Sequence, residues 1–207
     1  MNSRRGTLFV VTGPSGVGKG TVLAQVFATT DRLYYSISVT TRRPRDGERH
    51  GVNYLFCERD ALENMIRENA LLEHAEYVGN IYGTPIAPVE LKLEAGIDVI
   101  LELEVQGALS VKAKRHDAVL IFLAPPNFEE LERRLKRRGT DSEQAIEGRM
   151  KRARQEYEKI GEFDYIVTND NVIDAADEMR CIIKACRCLT KKRIPEEAAD
   201  KGGKERK

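Results

Sequence analysis

Residues 7–29 read TLFVVTGPSGVGKGTVLAQVFAT, and their order decides the fold. An apolar run, 7–12, is followed by a loop carrying Gly13, Gly16 and Gly18, and then by a helical pattern whose Val22, Leu23, Val26 and Phe27 mark a buried face. A strand, a glycine-rich turn and a helix in that sequence form the context of the Walker A loop. The loop residues Gly13, Pro14, Ser15, Gly16, Val17, Gly18, Lys19, Gly20 and Thr21 are therefore expected to hold a nucleotide. Glycines let the backbone curl around phosphate oxygens, its N–H groups and the helix N-terminus supply partial positive charge, and Lys19 reaches the β/γ-phosphates. The position after Lys19, where Ser or Thr is usual, is Gly20. Magnesium is accordingly expected to be held by nucleotide oxygens, water and acidic side chains, with Thr21 on phosphate.

Outward from this loop, short apolar runs alternate with amphipathic helical patterns, the signature of an α/β fold on a parallel sheet. Runs at 98–105, 118–123 and 165–167 read as further strands, with a weaker one at 34–39. Asp60 with Glu63, Asn127 with Glu130 and Thr140 with Glu143 read as helix starts, each a polar cap followed three residues later by a carboxylate. Gly96 and Gly139 read as helix stops, closing patterns that begin near Pro88 and at Phe128. Residues 36–84 break the alternation and read as an inserted lobe of mixed or antiparallel strands. Residues 127–159 form two helical patterns rich in Lys and Arg, a segment able to close over a polyanion. The expected division is a core of 1–35, 85–126 and 160–190, a lobe at 36–84, a helical lid at 127–159 and a polar, disordered tail at 191–207.

Composition is that of an ordinary soluble globular chain rather than a disordered, fibrous or membrane one: 207 residues, 41% hydrophobic and 32% charged, with 34 Lys+Arg against 33 Asp+Glu for a formal charge of +1. That balance argues against a dedicated nucleic-acid binder, and no apolar run is long enough to span a bilayer. A cytoplasmic protein with neither nucleic-acid nor membrane partners is expected. Cys57, Cys181, Cys186 and Cys188 lack zinc-site spacing and read as free thiols. Met179, Ile182, Ile183, Cys186 and Leu189 fall at helical spacing as core positions.

A second anion site is visible in Ser38-Val39-Thr40-Thr41-Arg42-Arg43-Pro44-Arg45-Asp46-Gly47-Glu48, where guanidiniums that fit phosphate bidentately sit among hydroxyls in a turn. Further on, Glu102, Glu104 and Gln106 alternate with Leu101, Leu103 and Val105, placing three polar groups on one face of the expected strand near its carboxyl end. In the basic helical segment Arg134 and Arg138 stand at i,i+4, with Arg149 on the next pattern, while Arg133, Lys136, Arg137, Lys151, Arg152 and Arg154 read as solvated charge.

Together, GPSGVGKGT, SVTTRRPRDGE, YGTP at 82–85, LELEVQGA at 101–108 and RRGTDSE at 137–143 make the chain resemble the guanylate kinases from about Leu8 to Leu189. The resemblance implies ATP and GMP going reversibly to ADP and GDP, with dGMP as a further acceptor and Mg²⁺ accompanying ATP. It implies catalytic roles for Lys19, Arg42, Arg138 and Arg149, and places Arg134, Arg138 and Asn169 with the phosphate loop on ATP. GMP phosphate is expected against Ser38, Arg42, Arg45, Tyr54 and Tyr82, guanine against Glu73 and Thr84. Glu48 is expected to organise Arg42 and Arg45, Glu104 to approach the acceptor and the magnesium–water shell, and Glu102 to support that region. Many relatives carry Asp where this chain has Glu104. Guanine's N1–H and N2–H₂ are donors along one edge, so an ionised Glu73 can accept from both, whereas adenine presents an acceptor there. Two other readings stay open from sequence: another P-loop small-molecule kinase such as an adenylate kinase, and the catalytically silent guanylate-kinase-like module of scaffold proteins.

Overall fold

The structure is a computed structural model and describes residues 5–137, 139 and 142–190. In chain order the elements are β1 (Leu8–Thr12), α1 (Lys19–Thr29), β2 (Leu33–Tyr35), β3 (Val39–Thr40), β4 (Leu55–Phe56), α2 (Arg59–Arg67), β5 (Leu71–Tyr77) and β6 (Asn80–Pro85). They continue with α3 (Ile86–Glu94), β7 (Asp98–Glu102), α4 (Val105–Lys114), β8 (Val119–Ala124), α5 (Phe128–Arg137), α6 (Glu143–Tyr157), β9 (Tyr165–Thr168) and α7 (Val172–Arg187).

The main sheet has five strands in the order β2-β7-β1-β8-β9, every neighbouring pair parallel. Strand β1 lies at its centre and is buried along its whole length, as its uninterrupted apolar run requires of a parallel strand covered on both faces. One face packs Phe9, Val11, Ile121 and Leu123 against α1, α6 and α7 through Val22, Val26, Met150, Met179 and Ile183. The other packs Val10, Val99, Leu101 and Leu120 against α3 and α4 through Val89, Leu93, Ala108 and Val111. The fully buried Asp98 ties the sheet to the last helix: it accepts from the Thr7 N–H at 2.7 Å and from Arg187 Nε at 2.6 Å. No described helix is long and apolar enough to cross a membrane.

A second sheet of four strands, β4-β3-β6-β5, is built from residues of the segment expected to be inserted, and it is mixed: β3 pairs β4 parallel and β6 antiparallel. The structure corrects several boundaries. The single strand expected at 34–39 is two strands in different sheets. Ser36 N–H makes the last bond to the main sheet, on Ile100, and Ser38 C=O already accepts from Leu55 in the second. The strand expected at 98–105 stops at Glu102, because its neighbour β1 turns into the glycine loop and Leu103 N–H finds the last acceptor at Val11. Glu102, Glu104 and Gln106 therefore do not share a strand face: Glu104 stands at the N-cap position of α4 and Gln106 lies in its first turn.

Helix starts show the same mixture. Asn127 Oδ1 accepts from the Glu130 N–H at 2.7 Å as its spacing predicts. Helix α2 begins two residues early, with Glu58 rather than Asp60 at its N-cap, and α3 begins at Ile86 rather than near Pro88. Helix α6 is capped by Ser142, whose Oγ accepts from Ala145 N–H at 3.3 Å, while the expected cap Thr140 lies outside the described residues. None of the four cysteines is in a disulfide. Met179, Ile183 and Cys186 are buried, but Leu189 lies past the end of α7 and is exposed. The tail at 191–207 lies outside the described residues.

Candidate active site

The carboxyl ends of β1 and β7 converge on one edge of the main sheet, the edge where α/β folds bind ligands. From β1 the chain enters the glycine loop, whose packing crowds out a side chain at Gly13, Gly16 and Gly18. A Cβ on Gly13 (φ +150°) would stand 2.2 Å from the Leu123 carbonyl oxygen, and one on Gly18 (φ +96°) 2.6 Å from Asn169 Nδ2. Lys19 Nζ reaches back across the loop to donate to Gly13 O at 2.6 Å. Gly20 and Thr21 are exposed, and nothing lies within 4 Å of a Cβ built on Gly20.

Asn169, expected on ATP, is buried after β9 and touches the phosphate loop itself: its Nδ2 donates to Val17 O at 2.7 Å. Arg134 also reaches Val17 O, at 3.4 Å, while its Nε donates to Glu130 at 2.7 Å. From α6, Arg149 donates to Ser15 Oγ at 3.3 Å. The basic helical segment thus rests on the phosphate loop through Arg134 and Arg149. Arg138, the remaining expected arginine, lies outside the described residues.

Glu48 joins both members of the second anion site. Its Oε1 accepts from Arg42 at 2.9 Å and its Oε2 from the Arg45 backbone N–H at 2.8 Å. The Arg42 hydrogen bond, then that N–H, hold the Glu48 carboxyl below its usual range, and the same bond raises Arg42. Arg42 also lies over the Tyr54 ring at 5.4 Å, and Tyr54 meets Tyr82 edge-on at 6.0 Å. This leaves Arg42 fixed by a carboxylate and an aromatic face before any phosphate arrives.

A cleft of about 320 Å³ opens beside this cluster and carries Ser38, Tyr54, Glu73, Tyr82, Glu102 and Glu104 on its wall. Glu73, on β5, is only 6% exposed, and its Oε1 accepts from Thr84 Oγ1 of β6 at 2.7 Å. Burial raises its pKa, opposed by the Thr84 hydrogen bond and by the charge of Lys114. A buried carboxylate with one oxygen partly used and the other facing an open cleft is an acceptor for a ligand's N–H groups. His74, its neighbour, is exposed.

Three residues of the site escaped sequence reasoning. Tyr35 donates to Glu102 Oε2 at 3.1 Å, fixing a carboxylate beside Lys19. Arg152, read as solvated charge, donates to Glu104 at 2.6 Å and to Glu156 at 3.2 Å, with Glu156 Oε2 buried and unpartnered. Arg149, Arg152 and Glu156 stand at i, i+3 and i+7, a helix-face relation that was legible once Arg149 was chosen. Arg154 instead lies over the Phe128 ring at 4.6 Å.

A family model described as guanylate kinase matches residues 5–186. Guanylate kinase of Streptococcus thermophilus is 53% identical over 184 residues, covering 88% of each chain. That of Bacillus subtilis is 53% identical over 182 residues, covering 87% of this chain and 89% of its own. The crystal structure of guanylate kinase from Anaplasma phagocytophilum superposes with a TM-score of 0.74 at 29% identity, over 93% of this chain and 92% of that one. A phosphate loop, a braced pair of arginines and a buried carboxylate thus occur in a chain matched along nearly its whole described length, and the protein belongs to the guanylate kinase family.

Proposed function

We propose that the protein transfers the γ-phosphoryl group of ATP to GMP, and to dGMP, which carries the same base and phosphate. The observation that carries the choice of acceptor is Glu73, a buried carboxylate bonded to Thr84 in the cleft beside Arg42. Guanine offers two donors to that carboxylate, and adenine would oppose its lone pairs with one of its own. Arg42 and Arg45 receive the acceptor phosphate, with Ser38, Tyr54 and Tyr82 completing its surroundings. Glu48 holds Arg42 in place, so less ordering is needed when GMP binds.

ATP lies along residues 13–21. Lys19 leaves Gly13 O for the β/γ-phosphates, and its charge follows the transferred group. Phosphoryl transfer needs alignment and charge stabilisation rather than a covalent intermediate. In this reading residues 127–159 form a lid in which Arg134, Arg138 and Arg149 neutralise the triphosphate. Closure excludes water, which would otherwise take the phosphoryl group in place of GMP. Asn169 acts by holding the Val17 carbonyl, and so the curvature of the loop, rather than by reading adenine.

Among the described residues no group of three or more His, Cys, Asp or Glu is arranged for a metal ion. A magnesium ion bound with ATP takes most of its ligands from phosphates and water and needs only one or two carboxylates. Glu102 and Glu104, on the wall of the cleft that also holds Lys19, fit that need, Glu104 once Arg152 releases it. When bound, the ion neutralises phosphate charge. Mixing the protein with Mg–ATP and GMP should yield ADP and GDP in equal amounts, with the Lys19→Ala variant inactive. ADP without GDP would refute the reading.

A further inference from the structure

Gly107 sits in the first turn of α4, a place where alanine is a better helix former and where this glycine has no positive φ to justify it. Packing does not demand it either. A Cβ built there would meet Leu103 Cβ at 3.6 Å, Leu103 Cδ1 at 3.7 Å and Glu73 Oε2 at 3.4 Å, all ordinary contacts. Gly13 and Gly18, by contrast, are held by contacts of 2.2 and 2.6 Å and by left-handed backbone. The fold alone therefore accepts alanine at 107, and the nearest atom to the missing methyl is the Glu73 oxygen that Thr84 does not use. Both residues line the acceptor cleft.

We propose that Gly107 is a specificity-determining residue: its missing side chain keeps open the space beside Glu73 Oε2 into which the exocyclic 2-amino group of guanine fits. This rests on the reading of GMP as acceptor. Thr84 occupies one lone pair of Oε1, leaving that oxygen one acceptor site for guanine N1–H. The amino group then meets Oε2 on the side of α4. A methyl at 107 fills the position above Oε2 and displaces an amino group, but it leaves a base without that group nearly untouched. Hypoxanthine is such a base, with the same N1–H and a hydrogen at position 2.

The test is Gly107→Ala, assayed for kcat/KM with GMP and with IMP at saturating Mg–ATP, beside binding of ADP and the melting temperature. The expected result is a fall of about 10- to 200-fold for GMP, the range one methylene is worth in a fitted pocket. IMP should change less than threefold, ADP binding should be unaffected, and the melting temperature should be equal or higher. Equal losses for GMP and IMP, or retention of the GMP-to-IMP ratio, would overturn the proposal, as would a lowered melting temperature with loss of ADP binding. If wild type itself fails to phosphorylate GMP, the acceptor reading falls instead, so the two failures are distinguishable.

Discussion

Replacing Glu73 by Gln probes the acceptor site with little change of shape. The amide keeps one oxygen, which can still accept from Thr84 at the 2.7 Å seen here, but it places an N–H₂ where guanine also brings donors. Losing one charge-assisted bond removes about 1.5–3 kcal/mol, and leaving a facing donor unpaired costs about 1–3 kcal/mol more. At 6% exposure water cannot relieve the mismatch. A combined loss of about 2.5–6 kcal/mol corresponds to about 60- to 20,000-fold in kcat/KM for GMP. Stability should move the other way. Burial raises the Glu73 pKa in the folded state, so the ionised form opposes folding at neutral pH, and a neutral side chain removes that opposition. Steady-state kinetics with varied GMP and ATP, together with thermal unfolding, should show a large loss for GMP, an unchanged KM for ATP and a melting temperature equal or higher. A GMP kcat/KM within threefold of wild type would refute the assignment, and a lowered melting temperature would refute the energetic reasoning behind it.

The acid limb of GMP kcat/KM should lie above the ordinary Glu range, because protonation of Glu73 removes the acceptor that guanine needs. Lys114→Met should shift that limb to higher pH, since the Lys114 charge favours the ionised carboxylate, and an unmoved limb would remove Glu73 from the titration. Asn169→Ala should cost about 0.5–1.5 kcal/mol by removing the shorter of the two hydrogen bonds on the Val17 carbonyl, which Arg134 reaches only at 3.4 Å, and should raise KM for ATP, read by denaturant unfolding and kinetics. Gly20→Ser should fold normally, with nothing within 4 Å of its Cβ, and should lower the Mg²⁺ concentration needed for tight ADP binding by calorimetry. Arg152→Met should lower stability by about 1–3 kcal/mol, because it leaves the largely buried Glu156 carboxylate without its cation, and should lower the Mg²⁺ concentration needed for tight ADP binding by freeing Glu104, read by denaturant unfolding and calorimetry.

Much of this was legible because local and tertiary demands coincided. The run 7–29 announces strand, loop and helix in one stretch, and the later apolar runs fell in the parallel sheet. The errors lie where tertiary context overrode a local pattern. Alternation at 101–106 looks like a strand, yet β7 ends at Glu102 because its partner strand turns away at Gly13. The apolar run at 34–39 hides a change of sheet that only the hydrogen-bond partners of Ser36 and Ser38 reveal. Tyr35 and Arg152 carried no motif, so their roles depended on carboxylates 67 and 48 residues away. Asn169 was noticed, but its side chain serves the phosphate loop, a contact invisible to spacing.

The central claim concerns the acceptor, and the most direct measurement is phosphoryl transfer from Mg–ATP to GMP, dGMP, AMP, CMP and UMP in parallel, with Lys19→Ala protein as the blank. The account predicts diphosphate formation from GMP and dGMP at kcat/KM about 10⁴-fold above AMP, the discrimination expected of a buried hydrogen-bonding site, and none in the blank. Comparable transfer to AMP, or binding of GMP without transfer to any acceptor, would contradict it.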